Sequence, residues 1–273
     1  MAKASGCLLR WRDRLLLLTN WHVVSGKRWM SASERQRDRG PQVQWLSTQN
    51  SYSPDHLKIS VWLEHSRHPL RTLALRSDPS PEDELDVPRL AWEPEDFLLR
   101  GQDDMPSWDL VCLEVARDLE AQEERLSIMF DRRVRLGYDV AEVGRAYGLA
   151  AAHQVFVVGY PSTIGTREQD PPVWTSGSIA TDPSKAWDGP RFLIDSRTRE
   201  GQSGSGVITY EPAGRGLPAR QQLVGIYSGR IETSADIGSV WPLEGLLESL
   251  CRRSPIVERF PLPESMSGPA LLL

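Results

Sequence analysis

Short apolar runs bounded by turn-forming residues recur along most of this 273-residue chain, and that pattern constrains its fold more than any other feature. Residues 6–12 and 14–24 read as two strands joined at a polar turn, and 58–63, 70–75 and 110–115 carry apolar residues at strand length. Residues 154–159, 191–195, 206–210 and 223–227 are rich in Val, Ile, Phe and Tyr and are flanked by turn-forming or polar residues. Many short strands with turn signals between them point to an all-β sandwich or barrel. Two segments depart from the pattern. Residues 117–130 are charge-rich and contain good helix formers, with a thin apolar face of Leu119, Leu126 and Met129, so a surface helix is expected there. Near the other end, Leu243, Leu246, Leu247 and Leu250 follow Pro242 at the spacing of an amphipathic helix with proline in its first turn. Past Cys251, Pro255, Pro261, Pro263 and Pro269 oppose regular structure and predict an extended tail.

Composition excludes several functions. The 32 basic and 37 acidic side chains give a net charge of −5, with no basic run to serve as a nucleic-acid footprint. Apolar runs such as 15–18 and 271–273 are far shorter than the roughly 18 residues of a membrane span. The three cysteines, Cys7, Cys112 and Cys251, are odd in number and lack metal-ligand spacing. They predict a reducing compartment, with no disulfide framework and no metal. Together with the lack of an apolar leader after Met1, this makes a cytoplasmic protein the expectation. The acidic run 82–86 and the cluster Arg35, Arg37 and Arg39 read as solvated loops.

Chemistry concentrates in a few places. Gly201-Gln202-Ser203-Gly204-Ser205-Gly206 offers a serine flanked by small residues, with backbone N–H groups free to hold an oxyanion. A hydroxyl needs a base to become a nucleophile. All five histidines (His22, His56, His65, His68 and His153) precede Ser203, which eliminates the serine, acid, histidine order of the α/β-hydrolases. His22 ends an apolar run, whereas His56, His65 and His68 lie in polar stretches. Asp109, entering the apolar run 110–115, is a carboxylate that could orient a base. Taken singly, each has a plainer reading: a Gly/Ser turn, a core histidine, a turn-capping aspartate. Their order, His22, Asp109, Ser203, is the order of one known triad.

At this point five segments resemble the chymotrypsin-like (trypsin-like) serine peptidase family, and its bacterial, non-secreted members in particular. Leu18-Thr19-Asn20-Trp21-His22-Val23-Val24 is similar to the family's histidine motif, Asp109-Leu110-Val111 to its aspartate motif and Gly201-Gln202-Ser203-Gly204-Ser205 to its serine motif. Val155-Phe156-Val157-Val158-Gly159-Tyr160-Pro161 and Leu223-Val224-Gly225-Ile226-Tyr227-Ser228 match recurring strands of its second barrel, so the likeness covers roughly residues 6–250. The resemblance implies two six-stranded antiparallel β-barrels with a helical insertion between them and a C-terminal helix. The expected division is residues 1–115 for the first barrel with insertions, 116–153 for the helical linker, 154–250 for the second barrel and helix, and 251–273 for the tail.

The implied activity is hydrolysis of peptide bonds by a serine endopeptidase through an acyl-enzyme, with no cofactor. His22 would be the base, Asp109 its orienting carboxylate and Ser203 the nucleophile, with the Gly201 and Ser203 N–H groups as oxyanion hole. Ser228 would support Asp109, and Ser228, Gly229 and Arg230 would pair with a protein or peptide substrate as an added strand. Arg197, six residues before the nucleophile, falls at the base of the family's specificity pocket. Pointing inward it would favour acidic residues; facing solvent, it would leave Thr198, Gly238 and Ser239 to line a pocket for small or apolar ones. Lys or Arg selection is not expected: inward, Arg197 would bury like charges together, and outward, it leaves a pocket for small or apolar residues. Two departures stand out. The 87 residues from His22 to Asp109 are long for the family and imply insertions at 27–54 and 78–105, where a regulatory protein could dock, as it could on the tail. Gln202 replaces the aspartate that pairs with a freshly cut N-terminus, which argues against activation by cleavage. The rival readings are an inactive homologue that serves as a protein-binding scaffold, and a Cys112–His153 thiol peptidase, which the apolar setting of Cys112 opposes.

Overall fold

The computed structural model describes residues 4–26, 28–31, 33–34, 56–63, 66–74, 108–162, 171–214, 218–232, 234–244 and 247. The chain begins with a hairpin of β1 (Cys7–Trp11) and β2 (Arg14–Thr19), closed by a turn in which Arg12 takes a positive φ of 56°. β5 (Val111–Ala116) pairs antiparallel with β2, and the short β6 (Tyr138–Asp139) runs parallel to β1, giving a four-stranded sheet ordered β5-β2-β1-β6. β3 (His56–Leu63) and β4 (Ser66–Ala74) form a separate antiparallel pair.

The unbroken leucine run of β2 follows from burial on both faces. Leu15 and Leu17 join Trp21, Val24, Leu57, Ile59, Leu113 and Val115 in one apolar cluster. Leu16 and Leu18 face the other way, joining Leu9, Cys112, Ile208, Leu223, Ile226 and Trp241 in a second. The second half of the chain supplies the partners for that face. There β7 (Gln154–Gly159), β8 (Val173–Ile179), β9 (Phe192–Ser196), β10 (Gly206–Glu211), β11 (Arg220–Arg230) and β12 (Ile237–Pro242) close into an all-antiparallel barrel ordered β10-β11-β12-β9-β8-β7. Val155, Val157, Phe192, Ile194, Val207, Val224 and Val240 belong to its own buried cluster.

The architecture is thus mostly β, with one closed six-stranded barrel. In the first half, the expected first barrel is not closed among the described residues, which show a four-stranded sheet and a two-stranded hairpin. The helix expected at 117–130 is α2 (Leu119–Met129), with Leu119 and Leu126 buried and Ile128 and Met129 exposed. The strand expected to run to Val24 stops at Thr19, and Trp21–Ser25 form the short helix α1. Gly26 ends it in the left-handed region (φ 70°), donating its N–H to the His22 carbonyl at 3.0 Å. Pro242 closes β12 instead of opening a helix. The Leu247 N–H does donate to the Leu243 carbonyl at 2.9 Å, but Leu246 and Leu250 lie outside the described residues, as do the tail, the Arg35–Arg39 cluster, the acidic run 82–86 and nearly all of both insertions.

Candidate active site

His22 is delivered by the turn from β2 into α1. Buried Asn20 donates its side-chain amide to the Asp109 carbonyl at 2.7 Å, tying this turn to the entry of β5. Asp109 is itself buried, so its charge needs partners. It has three. The His22 backbone N–H donates to Oδ1 at 2.9 Å, the His22 ring Nδ1 lies 2.7 Å from Oδ2, and Ser228 Oγ donates to the same Oδ2 at 2.5 Å. A carboxylate accepts only, so the proton in the ring contact sits on Nδ1 and Nε2 is left as the acceptor.

Ser228 arrives there through a β-bulge. The β11–β12 ladder pairs Tyr227 with Val240 and Gly229 with Ser239, which leaves Ser228 as the extra residue. Bulges re-aim side chains, and this one sends the hydroxyl to Asp109 while the Ser228 carbonyl accepts from Ser203 Oγ at 3.3 Å. Ser203 therefore rests on the Ser228 carbonyl and not on the His22 ring. On the β10 side of β11, pairing stops at Ile226, so no described strand covers that edge at residues 228–230.

The loop before β10 is shaped by its carbonyls. Glu200 accepts from Ser162 N–H at 2.8 Å and Ser162 Oγ at 3.0 Å, Gly201 from Ser5 Oγ at 2.8 Å, Gln202 from Ser205 N–H at 3.0 Å and Ser203 from Ser5 N–H at 3.0 Å. In a trans peptide the N–H points opposite to the preceding carbonyl. Holding the Glu200 and Gln202 carbonyls thus aims the N–H groups of Gly201 and Ser203, and neither has a partner among the described residues. Two unpaired N–H groups, one on the serine itself and one two residues before it, can receive negative charge. Gln202 is fully buried and satisfied: Oε1 accepts from Arg199 N–H at 2.7 Å, and Nε2 donates to Thr175 Oγ1 at 3.0 Å.

Of the two orientations open to Arg197, the structure has the outward one, its side chain 83% exposed and Nε 3.7 Å from Asp236. Thr198 and Ser239 are buried. Thr198 Oγ1 lies 2.5 Å from the phenol oxygen of buried Tyr227, whose pKa burial pushes up to about 12. A Cβ on Gly238 would sit 2.4 Å from the Tyr227 ring, so the phenol fills the space between residues 198 and 238. Sequence reasoning gave no role to Tyr227, Ser5 or Ser162: the two serines belong to no motif, and Tyr227 entered only as part of a strand. Cys112 is buried within β5 and Cys7 has its thiol pushed up to about 12 by burial, while His153 is exposed. The side chains of His56, His65 and His68 lie outside the described residues.

The family model of the trypsin-like peptidase domain matches residues 4–215, most of the chain and every residue of the arrangement above except Asp236 and those on β11 and β12. The chain belongs to the trypsin-like peptidase domain family. Among curated proteins none matches. Solved structures with similarity to this trypsin-like domain include an inactive form of the Rv3671c protease of M. tuberculosis H37Rv, at 13% identity and a TM-score of 0.38, covering 93% of this chain and 89% of that one. The HtrA-type protease AlgW with a decapeptide is 18% identical with a TM-score of 0.37, over 68% of this chain and 52% of that one. Another HtrA-type match spans only 38% of its own chain.

Proposed function

We propose that the chain is a serine endopeptidase working through His22, Asp109 and Ser203. One observation carries the reading: a serine with two unpaired N–H groups in its loop donates to the Ser228 carbonyl, and the Ser228 hydroxyl donates to the carboxylate that orients an imidazole. In the reaction Ser203 Oγ would leave the Ser228 carbonyl for Nε2, the ring nitrogen left as acceptor. His22 then takes the hydroxyl proton as Oγ attacks the scissile carbonyl, and later returns it to the leaving amine. Asp109 keeps Nδ1 protonated and stabilises the imidazolium. The Gly201 and Ser203 N–H groups receive the oxyanion, and water hydrolyses the acyl-enzyme with His22 again as base. The uncovered edge at residues 228–230 suits a substrate backbone added as a strand. Labelling of Ser203 by a fluorophosphonate tests the activity, and a folded chain that resists labelling is the scaffold instead. The joint burial of Leu57 and Ile59 with Leu15 and Leu17 supports a first barrel that includes the β3–β4 hairpin, and we extend the proposal to the C-terminal helix and the four-part division of the chain. Cys7 and Cys112 are buried and neither forms a disulfide among the described residues, which accords with a reducing, cytoplasmic setting.

Activation by a freshly cut N-terminus is not expected. Gln202 brings no charge for an ammonium to neutralise, and its amide already has two partners. An N-terminally extended chain should therefore be labelled as fast as the unextended one. An extension that abolishes labelling until it is cut away would overturn this.

Specificity follows from Tyr227. With its phenol against Thr198 and Gly238, little room remains for a long side chain before the scissile bond. A peptide-library profile should favour small residues there, and Arg197→Ala should leave the preference unchanged, since that guanidinium stands in solvent. Cleavage predominantly after Lys or Arg would refute the assignment.

A further inference from the structure

The loop that carries Ser203 is held from beneath by a residue far from it in sequence and with no part in proton transfer. Ser5, just before β1, is fully buried and uses all of its hydrogen-bonding groups. Its N–H donates to the Ser203 carbonyl at 3.0 Å, and its Oγ donates to the Gly201 carbonyl at 2.8 Å. The same Oγ accepts from the Tyr160 N–H at 2.9 Å, and the Ser5 carbonyl accepts from Thr19 Oγ1 at 3.0 Å. One small residue thereby joins β2 of the first half to β7 and the nucleophile loop of the second. The fit leaves no slack: a Cβ on Gly204 would lie 2.0 Å from the Ser5 carbonyl oxygen, and one on Gly159 2.6 Å from Ser5 Oγ.

We propose that Ser5 is a positioning residue: by holding the Gly201 and Ser203 carbonyls it fixes the loop on both sides of the peptide unit that presents the free Ser203 N–H. This rests on reading Ser203 as the nucleophile. Gly201 and Gly204 sit at φ of +89° and +87°, and glycine leaves many other conformations open to such a loop. Ser5 fixes the carbonyls of residues 201 and 203, which sets the peptide planes on either side of the 202–203 unit. The Gln202 carbonyl is already closed onto the Ser205 N–H, so the plane bearing the Ser203 N–H keeps one orientation. A donor fixed before the reaction begins needs no reorganisation when the oxyanion forms.

The test compares wild type with Ser5→Ala, which removes the hydroxyl bonds and keeps the Ser5 N–H. Two readouts are taken: amide hydrogen exchange across residues 199–205, and the rate and pH profile of fluorophosphonate labelling. The expected result is exchange in the loop faster by at least about tenfold with β10 and β11 unmoved, and labelling slower by about tenfold with an unchanged pH profile, because the His22–Asp109 pair is untouched. If Ser5→Ala does not fold, Thr19→Val, which frees the Ser5 carbonyl from the other side, should shift both readouts in the same direction by less. Loop exchange unchanged in a folded variant, or labelling within about twofold of wild type, overturns the proposal. A wild-type chain that is never labelled, while Ser5→Ala still frees the loop amides, refutes the peptidase reading and leaves the brace standing.

Discussion

Replacing Ser203 with alanine is expected to leave a folded chain with peptidase turnover lowered by roughly 10⁴-fold or more. The structural cost is small: the substitution gives up one 3.3 Å hydrogen bond to the Ser228 carbonyl, worth about 1 kcal/mol at most, at a partly exposed position. The chemical cost is the nucleophile itself. His22→Ala should fall by a similar factor, because a base and its nucleophile act as one unit and their losses do not add. That second change also leaves the buried Asp109 without its ring partner, with only the His22 N–H and Ser228 hydroxyl to offset its charge. Ser203→Ala should therefore keep the wild-type melting temperature, while His22→Ala should lose some of it. Thermal denaturation and steady-state cleavage of a peptide pool check both, and wild-type turnover in either variant would remove the assignment.

Gly204→Ala should disable the protein by a different route. At φ +87° an alanine costs about 1–3 kcal/mol in backbone strain. Its methyl would also lie 2.0 Å from the Ser5 carbonyl oxygen and 2.4 Å from Thr19 Oγ1, and the first of these is backbone that cannot swing away. Relief requires moving the loop or the chain before β1, at about a further 1–3 kcal/mol. Either movement carries Ser203 with it, since residues 203 and 5 are bonded directly. We expect a lower melting temperature together with phosphonate labelling slowed by about 10². Gly148→Ala is the control: its added methyl meets only Arg145 Cβ at 3.9 Å, and both properties should stay near wild type.

How far the sequence was legible depends on what each residue answers to. His22, Asp109 and Ser203 could be picked out by residue type and chain order, because proton transfer admits few side chains, and the structure brings His22 and Asp109 to 2.7 Å. Ser228 could be named only through resemblance, since nothing local marks the bulge that aims it. Within the barrel, β7, β10 and the centre of β11 announce themselves as Val- and Ile-rich runs, but β8 and β12 do not. β8 is mostly half-exposed along its length, so alternation is blurred. β12 reads Ile-Gly-Ser-Val-Trp-Pro, and its Gly, Ser and terminal Pro argue for a turn until Tyr227 is seen packed on Gly238. The end of β2 was misread because Val23 and Val24 favour strands. The turn is imposed from outside, by Asn20 bonded to Asp109 across 89 residues. Ser5 was invisible for a similar reason: a Ser-Gly pair carries no signal, and its role lies in partners in the Gly201–Ser203 loop, far along the chain.

The double-faced burial of β2 has a mechanical consequence. Because neighbouring leucines on one strand are committed to opposite clusters, the sheet is a party wall, common to the rooms on both sides. Domains that meet across a small polar seam can open and shut, but two halves that own alternate side chains of the same strand cannot part without unzipping it. The histidine and aspartate enter from one side of that wall and the serine from the other, and their spacing is as stiff as the packing between them. Control of access to Ser203 is then expected to act on the loops that surround it, because among the described residues the halves that carry the three residues share that strand.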